Sequence, residues 1–250
     1  MMHEAQMHER NCFLTLTYDQ EHLPKGGSLD LRHWQLFAKA LRNAVGPFRF
    51  FQCGEYGERS GRPHYHAALF GLDFHDARSF VRTTPNGDRL YRSDLVDAKW
   101  GRGICRIGEL TFDSAAYVAR YITKKMTGPN ADPFHYVDYE TGVVREPERA
   151  TMSLKPGIGE PWFSKFADDV YPSDEVIVNG KRCAPPKYYD VLRERTHPEQ
   201  MQEIKNARAV KSLAHAKDLT PERLRVREEV RILNQKFWGR EPADYLENAR

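Results

Sequence analysis

The sequence contains no apolar run long enough to cross a membrane and no apolar N-terminal region, so a membrane-spanning helix and a membrane partner are not expected. Cysteine is scarce: Cys12, Cys53, Cys105 and Cys183 are scattered, with no Cys-x-x-Cys pair, which excludes a disulfide framework. Three of them sit in apolar runs, where a free cysteine behaves as a small hydrophobe, and a reducing cytoplasm suits them. Neither sign of charge dominates. The 38 Lys and Arg against 35 Asp and Glu leave +3, which permits nucleic-acid binding without predicting it. There is no internal repeat or long low-complexity segment. At 250 residues the chain can bury one good-sized core and an appended subdomain.

What is present centres on Pro63-His64-Tyr65-His66-Ala67-Ala68-Leu69-Phe70-Gly71. Its aromatic and aliphatic content, with proline first and glycine last, reads as a strand. Strand side chains alternate, so His64 and His66 share a face about 6.6 Å apart, while Tyr65, Ala67 and Leu69 face a core. Arg49 to Tyr56 reads as a second strand, joined by the polar connection Gly57-Glu58-Arg59-Ser60-Gly61-Arg62. So short a loop predicts an antiparallel hairpin, which brings Glu55 near His64 or His66. The three side chains then suit one divalent ion. The alternative for Glu55 is a solvent-facing pair with Arg59 or Arg62.

A second constellation lies fifty residues on, in Asp113-Ser114-Ala115-Ala116-Tyr117-Val118-Ala119-Arg120-Tyr121-Ile122-Thr123-Lys124-Lys125-Met126. Asp113 or Ser114 can cap a helix that Gly128-Pro129 ends. At about 100° per residue, Tyr117, Tyr121 and Lys124 share one side. Ala115, Val118, Ile122 and Met126 form the apolar stripe opposite. Two phenols outside the core stripe, a lysine beside them and a metal cage together define a chemistry. A tyrosine hydroxyl forms a phosphodiester with a strand of nucleic acid while the ion and Lys124 offset the developing charge. Paired tyrosines allow two successive transfers.

His64-Tyr65-His66 resembles the His-hydrophobic-His motif of HUH endonucleases, and Tyr117 to Lys125 resembles their two-tyrosine helix. Glu55 matches the position of their carboxylate ligand, and Phe13-Leu-Thr-Leu-Thr-Tyr18 is similar to their opening strand. The resemblance is to the replication initiators of microviruses, small single-stranded DNA phages, especially the gokushovirus branch. It covers roughly residues 3 to 128 and continues loosely through Met152 to Trp162. It implies metal-dependent nicking and joining of single-stranded origin DNA, which starts and ends rolling-circle replication in the cytoplasm of a bacterial host. Tyr117 or Tyr121 would attack, Lys124 would assist, and Glu55, His64 and His66 would hold Mg²⁺ or Mn²⁺. Thr15 and Thr17 fall on the metal face and, with Arg59 and Lys125, are expected to contact DNA. A host polymerase and helicase are the expected partners, since no Walker-type Gly-x-x-x-x-Gly-Lys is present. Members of this family often carry a cysteine-rich segment upstream. This chain begins Met1-Met2-His3-Glu4, so that segment is expected to be absent or trimmed. Alternatives are an HUH transposase or relaxase, a non-catalytic module stacking bases on Tyr65 and Phe70, and a two-histidine, one-carboxylate iron oxygenase.

The remaining chain fills in the fold. Leu31, Trp34, Ala38, Leu41 and Val45 trace an amphipathic helix capped by Ser28 or Asp30. Residues 73 to 82 are expected to start another, followed by a hairpin at Asn86-Gly87, a helical turn from Ser93 to Trp100 and a strand over 103–109. The order resembles a ferredoxin-like or RRM-like α+β unit, an antiparallel sheet with helices on one face and the other open. The expected divisions are 1–128 for this HUH-type domain, 129–185 for a hairpin-rich extension and 186–250 for a charged helical region. Within these, hairpins are predicted at 135–144 and at Asn179-Gly180, and helices over 160–171 and from Thr220-Pro221. In the last helix Val226, Val230, Leu233 and Phe237 form a stripe.

Overall fold

The computed structural model describes residues 1–57, 60–123, 136–137, 142–171, 173–178 and 180–238. In chain order these form α1 (Met2–Ala5), β1 (Asn11–Tyr18), α2 (Leu31–Val45), β2 (Arg49–Tyr56), β3 (Pro63–Phe70), β4 (Ser79–Thr83), β5 (Arg89–Arg92), α3 (Asp94–Trp100), β6 (Gly103–Gly108) and α4 (Phe112–Thr123). Then follow β7 (Arg149–Met152), α5 (Glu160–Val170), β8 (Val176–Val178), β9 (Lys181–Cys183), α6 (Lys187–Thr196), α7 (Pro198–Leu213) and α8 (Pro221–Trp238). The chain divides into two compact units, Met1–Trp162 and Phe163–Arg250.

The first unit is an α+β fold on a seven-stranded sheet in the order β4-β5-β6-β1-β3-β2-β7, with every pair antiparallel. The alternation in β1 and β3 decides its faces. Leu14 and Leu16 of β1 and Tyr65 and Leu69 of β3 point to one side, where Trp34, Phe37 and Leu41 of α2 and Val96 and Trp100 of α3 complete the main core. Asp30 caps α2, accepting a hydrogen bond from Arg32 N at 2.9 Å, so it is Asp30 rather than Ser28 that starts this helix.

The opposite face carries a smaller apolar cluster of Phe51, Cys53, Ala68, Phe70 and Val118. Val118 belongs to α4, which packs on β2 and β3, so this face is open only in part. The buried stripe of α4 is Ala115 and Val118, as the periodicity predicts. Its cap differs from the expectation of Asp113 or Ser114. Thr111 Oγ1 accepts from Ser114 N at 3.2 Å, and Thr111 N donates back to Ser114 Oγ at 2.9 Å. This reciprocal pair is a capping box with serine in the third helical position.

Residues 73–82 form no α-helix. A 3-10 turn at His75–Ala77 leads into β4, which pairs with β5 around the turn at Gly87. The spacing of Phe74, Ala77, Phe80 and Val81 suits either element. Pairing with β5, which extends the sheet, decides for the strand. Gly103 starts β6 at φ +144°, where an added Cβ would lie 2.4 Å from Thr17 O and Asp19 N. Only glycine allows β6 to approach β1 so closely.

Beyond α4, Val137 bridges Val144, while the turn predicted between them lies outside the described residues. The loop at Lys155 to Gly159 keeps its polar backbone for the protein. Arg49 Nη2 donates to Pro156 O and Gly157 O at 2.8 and 3.0 Å, and Gly159 N donates to the buried Glu4 at 2.6 Å. The second unit holds the β8–β9 hairpin and helices α6 to α8. No described helix is long and apolar enough to cross a membrane.

Candidate active site

The β2–β3 hairpin builds the centre of the site. Its register sets Glu55 directly opposite His64 and Cys53 opposite His66. Gly54, between Cys53 and Glu55, faces Tyr65. An added Cβ there would meet Tyr65 Cε1 at 2.9 Å and Leu29 at 3.0 Å. The Tyr65 ring thus lies flat across the strand and its hydroxyl donates to Asp30 O at 2.6 Å. Glycine at 54 therefore lets core packing fix the backbone that carries Glu55.

Glu55 is 1% exposed and His66 2%, with His64 half-buried. Glu55 Oε1 lies 2.7 Å from His64 Nε2, 2.9 Å from His66 Nε2 and 3.1 Å from the Tyr117 hydroxyl that donates to it. Burial works to raise the Glu55 carboxyl. The neighbouring His66 and hydrogen bonds from both rings outweigh it and pull the group down to about 2. Burial pushes His66 below the usual histidine range, with Glu55 opposing.

The far side of each ring is also engaged. His64 Nδ1 faces Arg62 O at 3.0 Å, and His66 Nδ1 meets Thr15 Oγ1 at 2.9 Å. Both Nε2 atoms are therefore turned onto Glu55 by fixed partners, the arrangement of metal-ligating histidines. Glu55 Oε2 is buried and without a hydrogen-bond partner. The three donor atoms lie within 4.8 Å of one another. An orphaned buried carboxylate oxygen beside two preset imidazoles fits a divalent cation, because a cation supplies what the oxygen lacks.

Of the other predicted residues, Tyr117 is brought to the cage by α4, its ring edge-on to His66 with centroids 5.2 Å apart. The backbone of Tyr121 lies one turn further along α4, its side chain outside the described residues. Lys124, Lys125 and Arg59 also lie outside them. Thr15 does not face DNA: it is buried opposite His66 in the β1–β3 register, and its hydroxyl is taken by that ring. Thr17, two residues on, is half-buried opposite His64 at the rim of the site. Tyr65 and Phe70, proposed platforms of a non-catalytic module, are both buried and offer no face to a base. The orienting roles of Thr15 and the Arg62 carbonyl were not read from the sequence, although the threonine alternation of β1 points at the metal face.

Residues 11–126 match the family model of the replication-associated protein ORF2, a span that begins with β1 and includes the hairpin and α4. The chain belongs to that family. Among its relatives, the replication-associated protein VP4 of Bdellovibrio phage phiMH2K is 34% identical over 211 residues, 80% of this chain and 63% of the relative. The replication-associated protein ORF2 of Spiroplasma virus 4 is 32% identical over 75% of this chain and 59% of its own length. The replication-associated protein ORF4 of Chlamydia phage 1 is 31% identical over 76% of this chain and 48% of its own length. The chain thus spans about half to just under two-thirds of these relatives. No solved structure matches it.

Proposed function

We propose that this member of the replication-associated family nicks and rejoins single-stranded DNA through a tyrosine, and so initiates and terminates rolling-circle replication of a small phage. The observation that carries this reading is the Tyr117 hydroxyl, held 3.1 Å from the carboxylate that both histidines share. A divalent ion, Mg²⁺ or Mn²⁺, held by Glu55, His64 and His66 would polarise a phosphoryl oxygen and offset charge in the transition state. Tyr117 Oη attacks the phosphorus, its bond to the 3′ oxygen breaks, and the phenol proton leaves. The 5′ phosphate stays on the tyrosine and the 3′ end is free for a host polymerase. Tyr121, on the same helix, would take the second transfer, with Lys124 assisting. Thr17, Arg59 and Lys125 would track the DNA backbone, and a host helicase would unwind the duplex in the bacterial cytoplasm.

The test is incubation with circular phage-type single-stranded DNA and Mn²⁺, followed by mass-spectrometric mapping of the covalent adduct. The adduct is expected on Tyr117 or Tyr121, lost when both are changed to phenylalanine and absent in EDTA. An adduct persisting in the double variant would overturn the assignment. Transfer of the cut strand into a new target would favour the transposase or relaxase reading. Iron-dependent oxidation of a small molecule would favour the oxygenase.

A further inference from the structure

The second unit ends in a helix with an apolar stripe that the unit does not cover. Along α8, Val226, Val230 and Leu233 are 42%, 50% and 62% exposed. Their spacing of four and then three, which Phe237 continues in the sequence, is that of the core positions of a heptad repeat. In that frame Val226 and Leu233 take position d, and Arg223 and Val230 take position a. Leu224 and Ile232, also exposed, lie off the stripe. Valine at a with leucine at d favours two strands, and a single charged residue at a fixes register at a cost in stability.

We propose that α8 is a self-association helix that pairs in parallel and in register with α8 of a second copy of this chain. Charge pattern selects that occupant and its direction. The flanking positions are Glu222 and Glu229 on one side of the stripe and Arg227 and Asn234 on the other. A parallel pair sets Glu222 of each copy beside Arg227 of the other, giving two ion pairs by symmetry. Neither residue takes an ion-pair partner within its own chain among the described residues, whereas Arg225 is engaged by Glu229 at 3.6 Å and Arg223 by Asp218 at 3.5 Å. An antiparallel pair centred on the valines sets Glu229 against its own copy and Arg223 against Leu233, a repulsion and a buried charge. The seam is short, about 27 Å at 1.5 Å per residue, so dissociation on the order of 10 μM is expected.

Sedimentation velocity on the full chain, from about 1 to about 100 μM, tests this. The expected result is a monomer–dimer equilibrium that Val230→Glu abolishes, with circular dichroism unchanged because the side chain is exposed. Glu222→Arg alone and Arg227→Glu alone should each weaken the dimer by about tenfold, and the two together should restore it, since the pair is only reversed. In a Cys183→Ser background, Leu233→Cys should form an interchain disulfide on mild oxidation, because d faces d only in the parallel register. A monomer throughout the range, or a dimer insensitive to Val230→Glu, overturns the proposal. Failure of the charge reversal to restore association, or of Leu233→Cys to crosslink, overturns the parallel register.

Discussion

Glu55 Oε1 and His64 Nε2 face each other across the hairpin at 2.7 Å, while the second nitrogen of the ring faces the Arg62 carbonyl at 3.0 Å. A carbonyl only accepts, so Nδ1 carries a hydrogen, and a carboxylate also calls for a hydrogen on Nε2. An ion coordinated by Nε2 must displace that proton. Mn²⁺ binding is therefore expected to release protons and to strengthen as pH rises. Glu55 adds no pH dependence of its own near neutrality, since its carboxyl, held at about 2, is ionised throughout. Calorimetry in buffers of different ionisation enthalpy measures the release, and a value of zero would contradict this protonation. His64→Ala or His66→Ala should slow nicking by about two to three powers of ten.

Thr15 orients rather than binds DNA. Thr15→Val keeps the shape of the side chain and leaves His66 Nδ1 buried without its 2.9 Å partner. Loss of such a supporting contact typically costs about 10–100-fold in metal affinity. Mn²⁺ titration should show that loss, with single-strand affinity in the absence of metal unchanged. The reverse pattern would return Thr15 to a DNA-contacting role.

Gly54→Ala tests how firmly the core sets the hairpin. The new methyl group would meet the Tyr65 ring at 2.9 Å, and that ring cannot retreat because its hydroxyl is held by Asp30 O and by Asp30 N at 3.0 Å. Overpacking of this kind costs about 1–3 kcal/mol. Thermal and denaturant midpoints should both fall. Unchanged midpoints would show that the strand yields.

Much of this site was legible in the sequence because its signals are local. The period of two puts His64 and His66 on one face, and a short loop forces Glu55 back toward them, with no knowledge of the other strands required. Tyr117 was legible from the helical period, which separates it from Ala115 and Val118. The role of Thr15 depends instead on the register between β1 and β3, which a strand pair 51 residues apart does not encode locally. The 73–82 segment failed for the same reason. Its apolar spacing fits two elements, and a partner strand chooses. The cap at Thr111 was missed because Phe112, large and apolar, reads as part of the preceding loop.

Glu4 offers a prediction about pH. It is buried, and burial would raise its carboxyl, yet Gly159 N, Arg49 and His8 bond to it and hold it below the usual carboxylate range. A depressed carboxylate stabilises the fold above its unfolded value near 4.5, and that contribution fades as pH falls toward the folded value. Glu4→Gln should therefore lower the melting temperature at pH 7 and differ progressively less from the unaltered chain as pH drops from about 5 to about 3. A gap that stays constant with pH would assign the effect to packing alone.

The same hairpin has a consequence for how the chain assembles. Glu55 and His64 are nine positions apart, a loop that closes at small entropic cost, whereas Tyr117 reaches Glu55 from 62 positions away. The ligand pair is thus positioned to come together early in folding, with the nucleophile docking afterwards. Pulse-labelled hydrogen exchange should protect the β2–β3 amides before those of α4. A nascent chain that has emerged only as far as the hairpin could then capture its ion before it has any means to cut.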